Sequence, residues 1–117
     1  MRTVSDLLAA NLHEVFGNRD ANKRRAMIEQ IYAEDIEFTD PEGVTRGWNA
    51  LEDKARELLD KAPPAFAFTD DGPRYAGAET GALAWAFGPE NAPVARGIDI
   101  ITVRAGRIVA IVTMLTT

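Results

Sequence analysis

Apolar residues recur at helical spacing in three segments of the first half of the chain. The segments run from residue 5 to about residue 16, from residue 21 to near residue 33, and from residue 48 to residue 61. In each segment the apolar residues form a single stripe, which is the pattern of an amphipathic helix. Gly17 and Asn18 follow the first segment as a stop signal, and Pro63 with Pro64 ends the third. Three helices are therefore predicted.

Beyond Pro64 the apolar period changes from helical to alternating. Strands are predicted over about 65–69, 75–78, 80–87, 94–104 and 107–115, with one more over 36–39 before the third helix. The stretch from Asp40 to Gly43 must turn, since Pro41 favours an extended Asp40 and Gly43 tolerates positive φ. Helices followed by a run of antiparallel strands predict an α+β fold, in which the helices lie against one curved sheet.

The last two predicted strands are joined around Ala105 and Gly106. A two-residue type I′ turn needs positive φ at both central positions, and an alanine resists that conformation. We therefore expect a three-residue loop at this hairpin, with Gly106 at a bulge.

Composition limits the possible chemistry. The 117 residues carry 13 lysines and arginines against 18 acidic residues, a net charge of -5, and include no cysteine. This length suits one domain over 1–117, and the missing thiols exclude disulfides, cysteine nucleophiles and zinc–thiolate sites. An acidic chain without a basic cluster disfavours nucleic acid as a partner. Neither a membrane-spanning apolar run nor a signal-peptide pattern is present, so we expect no membrane association and a cytoplasmic location.

Two chemically useful residue types occur only once, as Ser5 and His13. A Ser-His-Asp site would need both, and Ser5 lies where it suits a helix cap, so no such site is expected. One histidine without cysteine also excludes most transition-metal sites, and no calcium-binding or phosphate-binding loop motif occurs. We predict no metal and no cofactor, which leaves carboxylates as the candidate catalytic groups.

Asp99 interrupts the most apolar stretch of the chain, among Ile98, Ile100 and Ile101. Residues two apart share a strand face, so Ile101 and Val103 accompany Asp99 and no counter-charge does. Burial should raise the pKa of this carboxyl, and a neutral carboxylic acid can donate a hydrogen bond to an anion. The alternative is a residue on a partly exposed strand that bonds a neighbouring backbone or side-chain group.

The other candidates have ordinary structural interpretations as well. An aspartate before proline at a strand end, such as Asp40, is a common turn residue whose side chain bonds its own backbone. His13 lies at the edge of the first helical stripe, where a half-exposed surface position is expected. Five aromatic residues could line a pocket for a flat apolar ligand or form the core, namely Phe16, Phe38, Trp48, Trp85 and Phe87.

Three segments, in their order and spacing, resemble the nuclear transport factor 2-like superfamily, and within it the ketosteroid isomerase and SnoaL-like branch. They are 32–41 (YAEDIEFTDP), 47–51 (GWNAL) and 97–108 (GIDIITVRAGRI). The first resembles the isomerase segment that ends in a catalytic Asp-Pro, and the last resembles the strand-turn-strand that carries the second acid. The resemblance implies a cone-shaped α+β roll, with three N-terminal helices packed on a strongly curved mixed or antiparallel sheet around an apolar pocket.

The resemblance also implies roles for particular residues. Asp40 stands where the isomerases place their proton-transferring base, and Asp99 stands where they carry a second acid. His13 occupies the position of the tyrosine that stabilises the enolate oxygen, which completes the expected catalytic set. Contacts with substrate are expected from Phe16, Tyr32, Phe38, Trp48 and Trp85.

The expected function is proton transfer on a small cyclic apolar carbonyl compound through an enolate, as in an isomerase or a cyclase. Two alternatives remain open. One is a non-catalytic module of the same fold that binds a small ligand or a protein. The other is a limonene-type epoxide hydrolase, which requires an arginine between two carboxylates.

The final predicted strand is apolar on both of its sides. It carries Ile108, Val109, Ile111, Val112, Met114 and Leu115. The core of one monomer covers only one side of a sheet, so we expect a homodimer that packs sheet against sheet.

Overall fold

The computed structural model describes residues 2–116, in which three helices precede most of a seven-stranded sheet. The helices are α1 (Val4–Ala9), α2 (Ala21–Ile31) and α3 (Trp48–Lys61), and a π-helical segment, Ala10–Phe16, continues α1. The strands are β1 (Tyr32–Asp40), β2 (Gly43–Arg46), β3 (Ala67–Asp70), β4 (Tyr75–Ala76), β5 (Thr80–Gly88), β6 (Ala95–Arg104) and β7 (Arg107–Leu115). The predicted α+β order is confirmed.

The first helix begins with a capping box and ends in a wide turn. The side chain of Thr3 accepts a hydrogen bond from the backbone N–H of Asp6, whose carboxylate accepts one from the N–H of Thr3. At the other end the N–H of Gly17 donates to the carbonyl oxygen of Leu12 at 2.8 Å, which closes the π-helical segment. A Cβ on Gly17 would lie 2.8 Å from that oxygen, so this turn requires glycine.

The sheet is mixed, with the strand order β2-β1-β7-β6-β5-β3, and β4 also pairs with β5. The first and last strands, β1 and β7, pair in parallel, and the other pairs are antiparallel. Buried and less buried residues alternate along β6, with Asp99, Ile101 and Val103 on the buried side as predicted. The helices cover this inner face of a curved sheet, which confirms the expected roll.

Two strand predictions need correction near the third helix. Strand β1 begins at Tyr32, directly after α2 ends at Ile31, and not at Ile36. Strand β2 was not predicted as a strand. Strand β2 pairs with β1 directly after the turn, with Gly43 opposite Asp40. The predicted turn therefore joins the two strands of a tight hairpin.

The prediction of a three-residue loop between the last two strands is wrong. Arg104 pairs with Arg107, which leaves a two-residue turn, and both central residues have positive φ, 51° at Ala105 and 75° at Gly106. The register shift lies further into the sheet, between Thr102 and Val103, and not at the turn. The long pairing of β6 with β7 thus holds an alanine in a conformation that its Cβ disfavours.

The core lies between the helices and the inner face of the sheet. Its largest buried side chains are mostly leucine and isoleucine, and the buried polar or charged residues are Asn11, Arg24 and Asp99. Within residues 2–116 no helix combines the length and the apolar character needed to cross a membrane.

Candidate active site

A cavity of about 370 Å³ opens between the first helix, α3 and the inner face of the sheet. Most of its wall is apolar and is formed by Leu12, Phe16, Phe38, Pro41, Leu58, Phe68, Trp85, Phe87, Ala95 and Leu115. Its polar lining consists of Asp40, Glu42, Lys54, Glu57, Lys61, Asp99 and Thr113. Asp40 and Asp99, 59 positions apart in the chain (99 minus 40), therefore face one shared chamber.

Asp99 lies at the buried end of this cavity and is only 7% exposed. Its Oδ1 accepts hydrogen bonds from Trp85 Nε1 at 3.0 Å and from Thr113 Oγ1 at 2.8 Å. Its Oδ2 accepts one from Asn11 Nδ2 at 3.0 Å. Burial raises the pKa of Asp99, and these three hydrogen bonds only partly oppose that effect.

A buried relay links Asp99 to the end of the second helix. Tyr32 OH donates a hydrogen bond to Asn11 Oδ1 at 2.5 Å, while the amide nitrogen of Asn11 donates to Asp99. Burial raises the pKa of Tyr32 well above its ordinary range, and the charge of Asp99 adds to the effect. The phenol therefore remains protonated and acts as the first donor of the relay.

Asp40 lies at the end of β1 beside the third helix, with 13% of its side chain exposed. Its Oδ1 accepts the backbone N–H of Glu42 at 2.9 Å, which is the turn interaction expected of an aspartate before proline. Its Oδ2 accepts Lys54 Nζ at 3.0 Å. Asp40 thus stabilises the turn, as its ordinary structural interpretation predicts, and also lines the cavity.

The predicted aromatic contacts divide into two groups. Phe16, Phe38 and Trp85 line the cavity, and Phe16 stacks on Phe38 with ring centroids 5.4 Å apart. Tyr32 and Trp48 do not line it, so the expectation that they contact a ligand directly is wrong. Tyr32 is fully buried behind Asn11, and Trp48 Nε1 donates to the carbonyl oxygen of Tyr32 at 3.1 Å.

His13 lies outside the cavity, which corrects the expectation that it faces the site. Its Nε2 is 2.6 Å from Asp70 Oδ1, and 41% of the imidazole side chain is exposed. Leu12 and Phe16, one helical turn apart, supply the cavity wall from this segment. His13 follows Leu12 directly and therefore projects to a different side of the helix.

Asn11 and Lys54 are among the polar residues of the site that sequence reasoning missed. Asn11 is fully buried although it lies within the apolar stripe of the first helix, between Leu7 and Val15 at four-residue spacing. That position was a usable signal, because a buried amide requires hydrogen-bond partners. Lys54 lies on α3 next to the apolar stripe, and its partner Asp40 belongs to another element, so no local pattern indicates the pair.

Among the described residues, the polar lining forms neither a metal site nor the arginine-containing site of the epoxide hydrolase alternative. Within residues 2–116 no three His, Asp or Glu side chains come together as a metal site. None of the described arginines lines the cavity, and the cation beside Asp40 is Lys54. Limonene-type epoxide hydrolysis requires an arginine between two carboxylates. The described residues that line the cavity include no arginine.

Comparison with known proteins places this architecture in the nuclear transport factor 2-like class. The family model of the SnoaL-like domain matches residues 9–111. The chain therefore belongs to the SnoaL-like domain family. No curated protein matches it significantly.

Solved structures share the fold at low sequence identity. A proposed isomerase of the SnoaL-like family from Agrobacterium tumefaciens superposes with a TM-score of 0.85 at 22% identity, over 95% of each chain. A protein from Kribbella flavida, proposed to be a ketosteroid isomerase, gives 0.69 at 14% identity, over 95% of this chain and 78% of that one. A protein of ketosteroid isomerase-like fold from Catenulispora acidiphila, in complex with trimethylamine, gives 0.71 at 14% identity, over 95% and 85%. These similarities establish the fold.

Proposed function

We propose that this protein transfers a proton on a small cyclic apolar carbonyl compound through an enolate, as an isomerase or a cyclase does. The observation that carries the proposal is the shared cavity of Asp40 and Asp99. A carboxylate and a buried carboxyl that face one apolar chamber provide the base and the acid that enolate formation needs.

Asp40 is the base in this proposal. Its carboxylate removes a proton from the carbon next to the carbonyl, so that the C–H bond breaks, an O–H bond forms and the electron pair passes to the enolate oxygen. Asp40 then returns the proton to the same or to another carbon. The Asp40 side chain remains 13% exposed at the cavity, so a proton held on its carboxylate can exchange with solvent between the two transfers.

Asp99 is the acid that stabilises the enolate. Its Oδ1 already accepts two hydrogen bonds and its Oδ2 accepts one, so Oδ2 has more room for a proton. The raised pKa of Asp99 favours the neutral form, which can donate that proton in a hydrogen bond to the developing oxyanion. The relay through Asn11 holds the carboxyl in place while it does so.

The wall of the cavity indicates the kind of substrate. Aromatic side chains dominate it, including Phe68 and Phe87 with ring centroids 4.3 Å apart. A volume of about 370 Å³ lies at the lower end of the range for small-molecule pockets. We therefore expect a compact one-ring or two-ring ligand whose carbonyl points toward Asp99.

Deuterium exchange tests this function. The protein is incubated with cyclohexanone or decalone in deuterated buffer, and incorporation at the carbons next to the carbonyl is followed by NMR. We expect exchange above the buffer rate, slowed about a hundredfold or more by Asp40→Asn and about tenfold by Asp99→Asn. His13→Ala, outside the cavity, should leave the rate unchanged. Exchange at the buffer rate with both ketones, or exchange that Asp40→Asn does not slow, would overturn the proposal.

A second candidate is a binding module without catalysis. Both oxygens of Asp40 are already hydrogen-bonded, one to Lys54 and one to the backbone of Glu42, which favours this alternative. The complex of the Catenulispora acidiphila protein with trimethylamine gives an example of the fold with a small ligand. Saturable binding of decalone that survives Asp40→Asn, without deuterium exchange in either protein, would support the module and exclude the enzyme.

A further inference from the structure

Lys54 forms a bridge between two carboxylates where the cavity opens. Its Nζ lies 3.0 Å from Asp40 Oδ2 and 3.1 Å from Glu42 Oε1. The two acids differ greatly in exposure, since 13% of the Asp40 side chain is exposed and 81% of the Glu42 side chain. Lys54 itself is 24% exposed and lines the cavity.

The charge of Lys54 is firmly held. Burial by itself lowers the pKa of Lys54, but the hydrogen bonds and charges of Asp40 and Glu42 together raise that pKa above its ordinary value. Lys54 therefore remains an ammonium group across the physiological pH range. It is a fixed positive charge beside the proposed base and not a nucleophile.

A fixed positive charge at this distance stabilises the ionised form of Asp40 before the reaction. When Asp40 takes the substrate proton it becomes neutral, and the attraction between Asp40 and Lys54 is lost. An interaction that is stronger in the ground state than in the transition state slows a reaction. The ion pair thus opposes the proton transfer that the cavity otherwise favours.

Glu42 acts in the opposite direction. Lys54 keeps this second acid as a partner when Asp40 is neutral, so the ammonium is not left without a counter-charge. The negative charge of Glu42 also lies close to Asp40, because both carboxylates contact the same ammonium nitrogen, at 3.0 and 3.1 Å. Both effects offset part of the attraction that Lys54 exerts on the Asp40 carboxylate.

We propose that Lys54 is a positioning residue that restrains Asp40, and that Glu42 relieves this restraint by sharing the ammonium. The proposal rests on the proposed function, since it needs Asp40 to act as the base. Lys54 also orients the carboxylate, but its main effect on the rate is inhibitory.

Three variants test the proposal in the same deuterium-exchange assay, at saturating decalone. Lys54→Met should raise the exchange rate about five- to tenfold, because Asp40 loses the interaction that stabilises its charge. Lys54→Arg should stay closer to the unchanged protein than Lys54→Met does, since it keeps a positive charge beside Asp40. Glu42→Gln should lower the rate several-fold, because Lys54 then pairs with Asp40 alone.

A matched control lies on the same helix. Arg56 forms an exposed ion pair with Asp53 at 2.8 Å outside the cavity, so Arg56→Gln removes a charged pair without touching the site. Its rate should equal that of the unchanged protein. An acceleration by Lys54→Met cannot come from lost stability, because partial unfolding lowers activity. A urea unfolding curve for each variant checks this directly.

The outcomes separate this proposal from the proposed function. Exchange that depends on Asp40 but falls in Lys54→Met would overturn the restraint and would instead give Lys54 a role in stabilising the enolate. A rate that neither Lys54→Met nor Glu42→Gln changes would also overturn it. If every protein exchanges at the buffer rate, Lys54→Met included, the proposed function itself fails.

Discussion

Asn11 and Asp99 lie 88 positions apart in the chain and form a buried hydrogen bond of 3.0 Å at the closed end of the cavity. The amide of Asn11 donates to Asp99 through its nitrogen and accepts from Tyr32 through its oxygen. An amide is one of the few side chains that can do both at once. This single contact therefore fastens the first helix to the sheet at the point where the candidate acid lies.

Replacing Asn11 should lower the stability of the folded protein. Asn11→Leu keeps the branched shape of the side chain, but it leaves the Tyr32 hydroxyl and one oxygen of Asp99 without their partner inside the core. We expect the free energy of unfolding to fall by about 2–4 kcal/mol, measured by urea unfolding at neutral pH. Tyr32→Phe removes only the hydrogen bond from Tyr32 to Asn11 and should lower the free energy of unfolding by about 1 kcal/mol. Equal stability of Asn11→Leu and the unchanged protein would contradict the relay.

Stability should depend on pH through Asp99. Burial raises its pKa in the folded chain, so the folded protein binds this proton more tightly than the unfolded chain does. The resulting contribution to the free energy of unfolding is present below about pH 4 and is lost as the pH rises through the raised pKa. Unfolding of Asp99→Asn and of the unchanged protein should be compared from pH 4 to 8. As the pH rises, we expect the free energy of unfolding of Asp99→Asn to increase relative to that of the unchanged protein. A difference between the two proteins that stays constant would contradict this.

The alternation along β6 allowed the buried face of Asp99 to be predicted, because a strand repeats every two residues and its neighbours on one side are all apolar. The same reasoning from local periodicity predicted the three helices and most of the strands. It failed at Ala105, where pairing along the whole of β6 and β7 determines the turn and overrides the preference of one residue. Local propensity is a weak constraint once many cross-strand bonds depend on the register.

The residues of the site were harder to predict than the fold. Asp99 could be found because it interrupts an apolar strand, whereas Asp40 fits an ordinary turn and became a candidate only through the family resemblance. Asn11 and Lys54 act through partners on other elements, and sequence spacing cannot show which distant side chains meet. His13 was misplaced because its face was inferred by counting positions, whereas the helix there has π geometry and directs its neighbours Leu12 and Phe16 into the cavity.

The turn at Ala105 offers a test of backbone strain. Ala105→Gly should raise the free energy of unfolding by about 0.5–1 kcal/mol, because glycine adopts φ of 51° without the clash of a Cβ. Gly106→Ala provides the opposite control and should lower it by about 1 kcal/mol, since φ there is 75°. Urea unfolding measures both variants. A loss of stability in Ala105→Gly would show that this turn is not strained.

The outer face of the sheet carries a row of side chains that the helices do not cover. Cross-strand pairing places them side by side across six strands, in the order Tyr75, Ala82, Ile100, Val112, Thr39 and Val44. Tyr75 is 65% exposed, and Val112 and Val44 are also exposed. We propose that a second copy of the chain covers this row, since an apolar face of this extent is rarely left in water.

Sedimentation at micromolar concentration tests the dimer. The unchanged protein should sediment at twice the 12.8 kDa of one chain, and Val112→Glu should sediment as a monomer, because a charge at the centre of the row opposes burial. Val94 is more exposed than Val112, 64% against 40%, but lies outside the strands, so Val94→Glu should remain dimeric. A monomeric unchanged protein would rule out the interface.

The position of β7 has a consequence for biosynthesis. This strand is the last of the sheet in chain order, yet it lies between β1 and β6 and pairs with both. While the ribosome is still making the chain, β1 and β6 each present an unpaired edge. The part of the cavity wall that Thr113 and Leu115 of β7 form is also still missing. The nascent protein must keep these edges from pairing with other chains until its final strand emerges. Assembly of the sheet is therefore a late event, and chaperones that shield strand edges should matter most for this protein during translation.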